Sequence, residues 1–166
     1  MKKNKSKIWE IFSYIVIIIV VIIIKFYVVS PIKVNGSSMN DTLLDGDIMI
    51  LNEIVYRFNN IKRFDIVVAK SDKELLIKRV IGLPGEKIRC TDGIIYINDS
   101  VLVKDYGTNK TDDFDEITIG NNEYFLMGDN RGNSLDSRYF GTFNKKDIKG
   151  RTKHTLFPFN RFGLKK

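Results

Sequence analysis

A long apolar run near the N-terminus constrains the fold of this chain more than any other feature. Residues 11–24 are almost all isoleucine and valine, and residues 26–29 continue the apolar character past Lys25. From Ile11 to Val29 the run has 19 residues, or roughly 28 Å of helix at about 1.5 Å per residue. Because a helix of that length can span a bilayer, we expect a transmembrane anchor over residues 8–30.

The charged residues before the run predict its orientation. Lys2, Lys3, Lys5 and Lys7 precede it, and positive charge beside a span favours the cytoplasmic side. We therefore expect a single-pass protein of the cell membrane, with a cytoplasmic tail over residues 1–7 and an extracytoplasmic domain over residues 31–166.

Two other interpretations of the run fit less well. A cleaved secretory signal would need small residues around a cleavage site, and residues 27–31, Tyr-Val-Val-Ser-Pro, lack that pattern. A helix packed on a soluble core would have one polar face, and the run has none.

Short apolar segments separated by turn residues follow the run and are typical of β-strands. Asn98-Asp99-Ser100 indicates a hairpin turn, whereas residues 108–116 are polar and are predicted to form a surface loop. No long amphipathic helix or internal repeat interrupts this pattern, so we predict one mostly-β domain after the anchor. The predicted strands cover residues 48–51, 65–70, 75–81, 94–97, 101–103 and 123–127.

The composition excludes several kinds of site. The chain has one cysteine, Cys90, and one histidine, His154, so it can form no internal disulfide and no His/Cys metal site of its own. Lys and Arg outnumber Asp and Glu by 27 to 20, but the basic residues are scattered. We expect a solvated basic surface, no nucleic-acid partner, no metal or other cofactor, and a monomer.

Residues 34–43, just after the predicted anchor, contain a candidate nucleophile. Gly36-Ser37-Ser38-Met39 places a serine directly after a glycine-containing turn. Such a turn can present a hydroxyl outward while nearby backbone N–H groups stay available to bind an oxyanion. Taken alone, the segment is more typical of an ordinary loop.

Lys78 interrupts a predicted strand that is otherwise apolar. Alternate side chains of a strand share a face, so Lys78 should point with Leu76 and Val80, and Arg79 to the opposite side. Apolar neighbours disfavour an ammonium ion, and a neutral amine can accept the proton of a serine hydroxyl. A lysine that protects an edge strand from aggregation is the competing interpretation, and the residue taken alone favours it.

A polar cluster follows the last predicted strand. Residues 128–138 are dense in carboxylates, amides, hydroxyls and guanidinium groups. Asp129 and Asp136 can accept charge-assisted hydrogen bonds, and Arg131 and Arg138 can donate them. A calcium-binding loop is the alternative, but the acidic residue that closes an EF-hand loop is missing.

These three clusters, in this order behind an N-terminal anchor, resemble the type I signal peptidases. The strings KRVIGLPGE from Lys78 and GDNRGNSLDSR from Gly128 are the most specific part of a resemblance that spans nearly the whole chain. The chain is similar to the compact Gram-positive form, without a large inserted second domain. The resemblance implies a mostly-β protein: one N-terminal transmembrane helix followed by a β-rich signal-peptidase catalytic domain.

The resemblance also implies an activity and a set of roles. The expected function is that of a membrane-bound serine endopeptidase, which removes signal peptides with small residues at −1 and −3 from exported preproteins. Ser38 would be the nucleophile, Lys78 the general base, and Ser134 the residue that orients Lys78. The supporting polar network would comprise Asp129, Arg79, Asp136 and Arg138.

Two positions depart from the usual pattern of that family. Asp41 stands where proline is usual, which could loosen the turn or alter the substrate cleft. Gly36 stands where some members have a serine that contributes its hydroxyl to the oxyanion hole, so the Ser38 N–H would carry more of that task. Neither change affects the pairing of Ser38 with Lys78.

Other classes of protein make different predictions. A sortase-like transpeptidase would need its histidine before a cysteine nucleophile, but Cys90 precedes His154. A self-cleaving repressor peptidase shares Ser–Lys chemistry but not this anchor. A non-catalytic anchored β-module predicts nothing special about Ser38 or Lys78, so an active-site-directed serine probe would distinguish it from a peptidase. An inactive family member, an alternative that Asp41 leaves open, would not cleave a preprotein after an Ala-x-Ala site, whereas an active one would cleave it unless Ser38 is replaced by alanine.

Overall fold

The computed structural model describes residues 2–27, 29–71 and 74–165 of the 166-residue chain. It contains one long helix, α1 (Lys2–Tyr27), and two short ones, α2 (Val55–Phe58) and α3 (Ser137–Phe140). In chain order the strands are β1 (Val29–Lys33), β2 (Ile48–Asn52), β3 (Ile66–Lys70), β4 (Leu75–Gly82), β5 (Lys87–Thr91), β6 (Ile94–Ile97), β7 (Ser100–Val101), β8 (Phe114–Thr118), β9 (Glu123–Met127), β10 (Phe143–Asn144), β11 (Ile148–Phe157) and β12 (Gly163–Leu164).

The strands form two antiparallel sheets. The spatial order in the first is β1, β2, β11, β3, β4, β9 and β10, with β12 paired to β11. The second has the order β7, β6, β5 and β8. In the first sheet, β9 pairs with β4 only from Arg79 onward, so among the described residues the first half of β4 pairs with β3 alone.

Helix α1 contains most of the apolar run but differs from the predicted anchor at both ends. It begins at Lys2, within the predicted tail 1–7, and it ends at Tyr27. The helix is followed by a strand, since residues 29–33 pair with β2; the anchor over residues 8–30 stays a prediction. Proline favours extended backbone in the residue before it, which explains the extended conformation next to Pro31.

The middle of α1 exposes apolar side chains. Between Ile11 and Ile22 its large hydrophobic side chains are 41% to 66% exposed. Among the described residues no helix has both the length and the apolar character needed to cross a membrane.

Five of the six predicted strands are confirmed as β2, β3, β4, β6 and β9, with ends that differ by no more than one residue from those predicted. The predicted hairpin is also confirmed, because Ile97 pairs with Ser100 across a two-residue turn. Asn98 and Asp99 in that turn have φ values of 47° and 64°, as this kind of turn requires. The sixth strand is shorter than predicted and ends at Val101.

The predicted surface loop over residues 108–116 was wrong in its last three residues. β8 begins at Phe114 and pairs with β5, a strand that was not predicted. β11, the longest strand, was missed as well. Its buried positions include Thr152 and Thr155, and its pairing with β2 shifts register twice, so no regular apolar alternation marks it.

The core has three apolar clusters. One packs the segment after β1 onto the first sheet, through Val34, Met39 and Leu43. Another brings Ile81 and Phe125 of the first sheet together with β5, β6 and β8 of the second. The two sheets therefore share a core, and the segment that carries Ser38 is packed directly on the first one.

Candidate active site

A cleft of about 510 Å³ lies between β1, the segment that follows it and the first half of β4. Ser38 and Lys78, which are 40 positions apart in the chain, both line it. The rest of the cleft wall is mixed: Lys33, Asn35 and Glu74 are polar, and the apolar contributions come from Ile32, Val34, Met39, Leu75, Leu76 and Ile77.

The segment that carries Ser38 is held on both sides of this residue. Gly36 has a φ of 86°, a backbone conformation that glycine adopts without steric cost, and its N–H donates to Asp45 Oδ1 at 2.8 Å. On the other side Met39 and Leu43 are buried, and the Leu43 N–H donates to the Met39 carbonyl at 2.8 Å. Ser38 is half-buried between these two fixed points.

Lys78 is only 3% exposed, and its Nζ donates to Ser134 Oγ at 3.0 Å. Burial lowers the pKa of Lys78 from 10.5 to about 8, with the Asp136 carboxylate opposing the shift and the Arg138 guanidinium adding to it. Desolvation penalises the ammonium form. At pH 7 about a tenth of Lys78 is therefore a neutral amine, far more than for a lysine with its ordinary pKa.

A hydrogen-bonded chain continues behind Lys78. Ser134 accepts from Lys78 and donates to Asp136, and Arg138 Nε donates to Asp136 Oδ1 at 2.9 Å. Burial alone would raise the pKa of Asp136, but hydrogen bonds from Arg138, the Gly128 N–H and Ser134 lower it overall. An ionised Asp136 thus orients the Ser134 hydroxyl, which in turn holds the Lys78 amine.

Arg79 and Asp129 form a separate, fully buried ion pair. Arg79 Nε donates to Asp129 Oδ1 at 2.8 Å and Nη2 donates to Oδ2 at 2.6 Å, and both side chains are 0% exposed. Thr42 Oγ1 donates to Asp129 Oδ2 at 2.6 Å. The pair therefore ties the segment that carries Ser38 to β4 and to the loop after β9.

Gly128 is a site residue to which sequence reasoning assigned no role. A Cβ built on Gly128 would lie 2.3 Å from Ser134 Oγ and 2.4 Å from the Ser38 carbonyl oxygen. Only glycine allows these two serines to approach the same backbone position. The signal was present in the sequence, because a glycine directly after a buried strand can mark close approach of another chain segment.

Asn130 also had no role in the sequence analysis, although it holds the backbone on both sides of Ser38. Its N–H donates to the Ser38 carbonyl at 3.0 Å, and its side-chain Nδ2 donates to the Ser37 carbonyl at 3.1 Å. Asn133 adds a hydrogen bond from its Nδ2 to Ser37 Oγ at 2.7 Å. The loop after β9 thus positions the serine backbone as well as Lys78.

Within the described part of the chain, no hydrogen bond joins Ser38 Oγ to Lys78 Nζ, and no group of three or more His, Cys, Asp or Glu side chains could hold a metal ion. Hydrogen bonds between catalytic groups are often long before substrate binds. A hydroxyl, a buried amine with a lowered pKa and backbone N–H groups at one cleft are the components of nucleophilic acyl transfer.

Comparison with known proteins agrees with this chemistry. The sequence pattern of the family described as signal peptidase, peptidase S26, matches residues 8–157. The chain belongs to this family. The resemblance predicted from the sequence is therefore confirmed, and the chain is an S26 peptidase.

The relatives of this signal peptidase are similar to it over most of its length. It is 36% identical over 160 residues to signal peptidase I of Bacillus amyloliquefaciens, covering 89% of this chain and 86% of the relative. It is 34% identical over 173 residues to signal peptidase I S of Bacillus subtilis strain 168, covering 96% and 94%. A crystal structure of a signal peptidase I from Enterococcus faecalis V583 is 33% identical, with a TM-score of 0.51, and covers 56% of this chain and 97% of that one.

Proposed function

We propose that this signal peptidase cleaves signal peptides from exported preproteins by means of Ser38 and Lys78. In this mechanism Ser38 Oγ attacks the scissile carbonyl while Lys78 Nζ accepts its proton and passes it to the leaving amine. Lys78 then takes a proton from the water that releases the acyl-enzyme. The observation that carries the proposal is that Lys78, buried and with a pKa of about 8, lines the same cleft as Ser38.

The other polar residues of the site support this pair. Ser134 holds the Lys78 amine, and Asp136 with Arg138 fixes the Ser134 hydroxyl. Among the described protein groups the Ser38 N–H has no acceptor, so it is available to stabilise the oxyanion of the tetrahedral intermediate. Arg79 and Asp129 act through Thr42, which they hold.

The cleft suits an extended peptide. β1 lies at the end of the first sheet, and the first half of β4 pairs with β3 alone among the described residues. A substrate strand between these two edges can form main-chain hydrogen bonds while its side chains enter apolar pockets. We propose that Ile32, Val34 and Ile77 contact the residues at −1 and −3, where small side chains are preferred.

We also propose that α1 anchors the protein in the lipid bilayer, with residues 1–7 in the cytoplasm and residues 31–166 outside. The exposed apolar side chains of residues 11–22 and the lysines that precede them support this topology. Protease added to right-side-out spheroplasts should digest the catalytic domain. If that domain were fully protected and digested only after the membrane is opened, the proposed orientation would be wrong and the domain would lie in the cytoplasm.

The central experiment uses the full chain in lipid vesicles with a preprotein that carries an Ala-x-Ala cleavage site. Ser38→Ala and Lys78→Ala should each abolish cleavage, whereas the wild type should release the mature protein. Ser100→Ala, an exposed serine of the second sheet, is the matched control and should cleave normally. Cleavage by Ser38→Ala at the wild-type rate would exclude the proposed mechanism.

A further inference from the structure

The segment of residues 105–111, between β7 and β8, contacts three consecutive residues of the site. The Thr108 N–H donates to the Asp129 carbonyl at 2.9 Å, and Asn109 Nδ2 donates to Asn130 Oδ1 at 2.8 Å. Arg131, the third residue, binds both ends of the segment. Part of this segment had been predicted only as a surface loop, so its place against the site is a result of the tertiary structure.

The 105–111 segment is firmly attached at this position. Arg131 is 1% exposed, and its Nη1 donates to Asp105 Oδ2 at 2.8 Å and to Thr111 Oγ1 at 2.9 Å. A Cβ at Gly107 would lie 2.7 Å from the Arg131 Cζ. The Tyr106 ring centroid is 3.9 Å from the Cζ of Arg79. These contacts fix where the side chain of Asn109 can reach.

Asn130 controls the direction of the Ser38 N–H. Ser37 O and the Ser38 N–H belong to one trans peptide, in which the carbonyl and the N–H point in opposite directions. Since Asn130 Nδ2 holds Ser37 O, it also determines where the Ser38 N–H points. The Asn130 backbone N–H fixes the next peptide plane through Ser38 O.

Asn109 selects one of the two orientations of the Asn130 amide. That amide has one donor nitrogen and one acceptor oxygen. While Asn109 donates to Oδ1, Nδ2 faces Ser37 O. The reversed amide would bring its oxygen against the Ser37 carbonyl and its nitrogen against the Asn109 nitrogen, so both hydrogen bonds would be lost.

We propose that Asn109 is a positioning residue for signal-peptide cleavage. By holding the Asn130 amide on the Ser37 carbonyl, it directs the Ser38 N–H toward the oxyanion of the tetrahedral intermediate. The inference rests on the proposed function, in which Ser38 is the nucleophile and its N–H binds that oxyanion. Asn109 touches no reacting atom and acts only through Asn130.

The first test compares Asn109→Ala with Asn109→Asp in the full chain in vesicles. Loss of one hydrogen bond in Asn109→Ala should lower kcat about 2- to 10-fold. KM and Tm should be unchanged, because the residue is exposed and does not line the cleft. Asn109→Asp has the same shape but cannot donate, so it should favour the reversed amide and lower kcat further than alanine does. Asn121→Asp, an exposed asparagine in the turn before β9, is the matched control.

A double-mutant cycle with Asn130→Ala provides a second test. If Asn109 acts only through the Asn130 amide, Asn109→Ala should cause no further loss of kcat once Asn130 is alanine. If the losses of kcat in Asn109→Ala and Asn130→Ala multiply in the double variant, the inference is overturned. It is also overturned if Asn109→Asp has the wild-type kcat, or if a lower Tm accounts for the loss of activity. If Asn130→Ala does not fold, the comparison of Asn109→Ala with Asn109→Asp still decides.

The same assays separate this inference from the proposed function. Ser38→Ala and Lys78→Arg are measured in parallel. If either cleaves at the wild-type rate, the proposed function fails and the inference fails with it. If both are inactive while Asn109→Asp behaves as wild type, only the role of Asn109 is excluded.

Discussion

Lys78 and Arg79 are adjacent basic residues on β4, and both are buried, but their surroundings differ. Arg79 has a carboxylate partner that accepts two hydrogen bonds from its guanidinium. Lys78 has a hydroxyl, Ser134 Oγ, as its hydrogen-bond partner. Because successive residues of a strand face opposite sides, the buried ion pair of Arg79 and the buried amine of Lys78 lie on opposite faces of the sheet.

The comparison shows how one strand can supply both a stable charge and a base. A buried charge is tolerated when an ionic partner and hydrogen bonds compensate for its lost hydration, as at Arg79. A hydroxyl compensates less, so the pKa of Lys78 falls to about 8. The two neighbours should therefore respond differently to substitution, the first through stability and the second through catalysis.

The largest expected effect is on catalysis at position 78. Lys78→Arg should lower kcat/KM by roughly 10³-fold or more, because a guanidinium stays protonated and cannot act as a base. Cleavage of an Ala-x-Ala preprotein measures the loss. Lys70→Arg, an exposed lysine at the end of β3, should cleave normally, and activity of Lys78→Arg comparable to that control would remove Lys78 from the mechanism.

At Arg79, the next residue, substitution should affect stability rather than catalysis. Arg79→Met leaves Asp129 buried without its cation, which should reduce the free energy of unfolding by about 3–5 kcal/mol. Urea denaturation monitored by circular dichroism provides the measurement. Arg57→Met, at an exposed position of α2, should change stability by less than about 0.5 kcal/mol. Equal stability of the two variants would mean that the buried pair does not stabilise the fold.

A substitution at Gly128 tests whether catalysis depends on the close approach of Ser38 and Ser134 to this glycine. Gly128→Ala should reduce kcat about 10²-fold, because its methyl group must displace Ser38 or Ser134 and misplaced catalytic groups cost about that much. Gly132→Ala is the control, since a Cβ there meets no atom within 4 Å. If Gly128→Ala and Gly132→Ala had the same kcat, the packing around Gly128 would not determine the catalytic geometry.

Removing the Lys78 amine should stabilise the protein in a pH-dependent way. The folded-state pKa of about 8 lies below 10.5, so burying the ammonium costs about 3 kcal/mol below pH 8, and this cost disappears as the pH rises to about 10.5. Lys78→Met should therefore raise the free energy of unfolding by about 1–3 kcal/mol at pH 6, and by less at pH 10. A gain that is independent of pH would contradict this explanation.

The smallest expected effects are in the pH dependence of cleavage. For the wild type, kcat/KM should rise about tenfold per pH unit below pH 8 and level off above it, as Lys78 loses its proton. The Asp136 carboxylate raises the pKa of Lys78, so Asp136→Asn should shift the midpoint of the profile to lower pH. A shift of the midpoint to higher pH would contradict this prediction, because the Arg138 guanidinium that remains lowers the pKa of Lys78.

Much of the site could be predicted from local sequence. A lysine and an arginine in succession within an apolar strand must face opposite sides, which suggested a desolvated Lys78 with a lowered pKa, but the family motifs were needed to prefer this to an edge-strand lysine. The hairpin at Asn98-Asp99 was equally predictable, because positive φ at two adjacent residues is a property of the turn itself. In both cases the determining interactions involve residues close together in the chain.

The sequence by itself thus determined the periodic strands, the apolar N-terminal helix and the family motifs. Only the tertiary structure decided that β11 lies between β2 and β3, that Gly128 admits both serines, and that Asn109 reaches Asn130. These features depend on contacts between segments far apart in the chain, through buried threonines, backbone carbonyls and side-chain amides. Such polar groups carry no apolar period, so their partners become defined only when the sheets pack together.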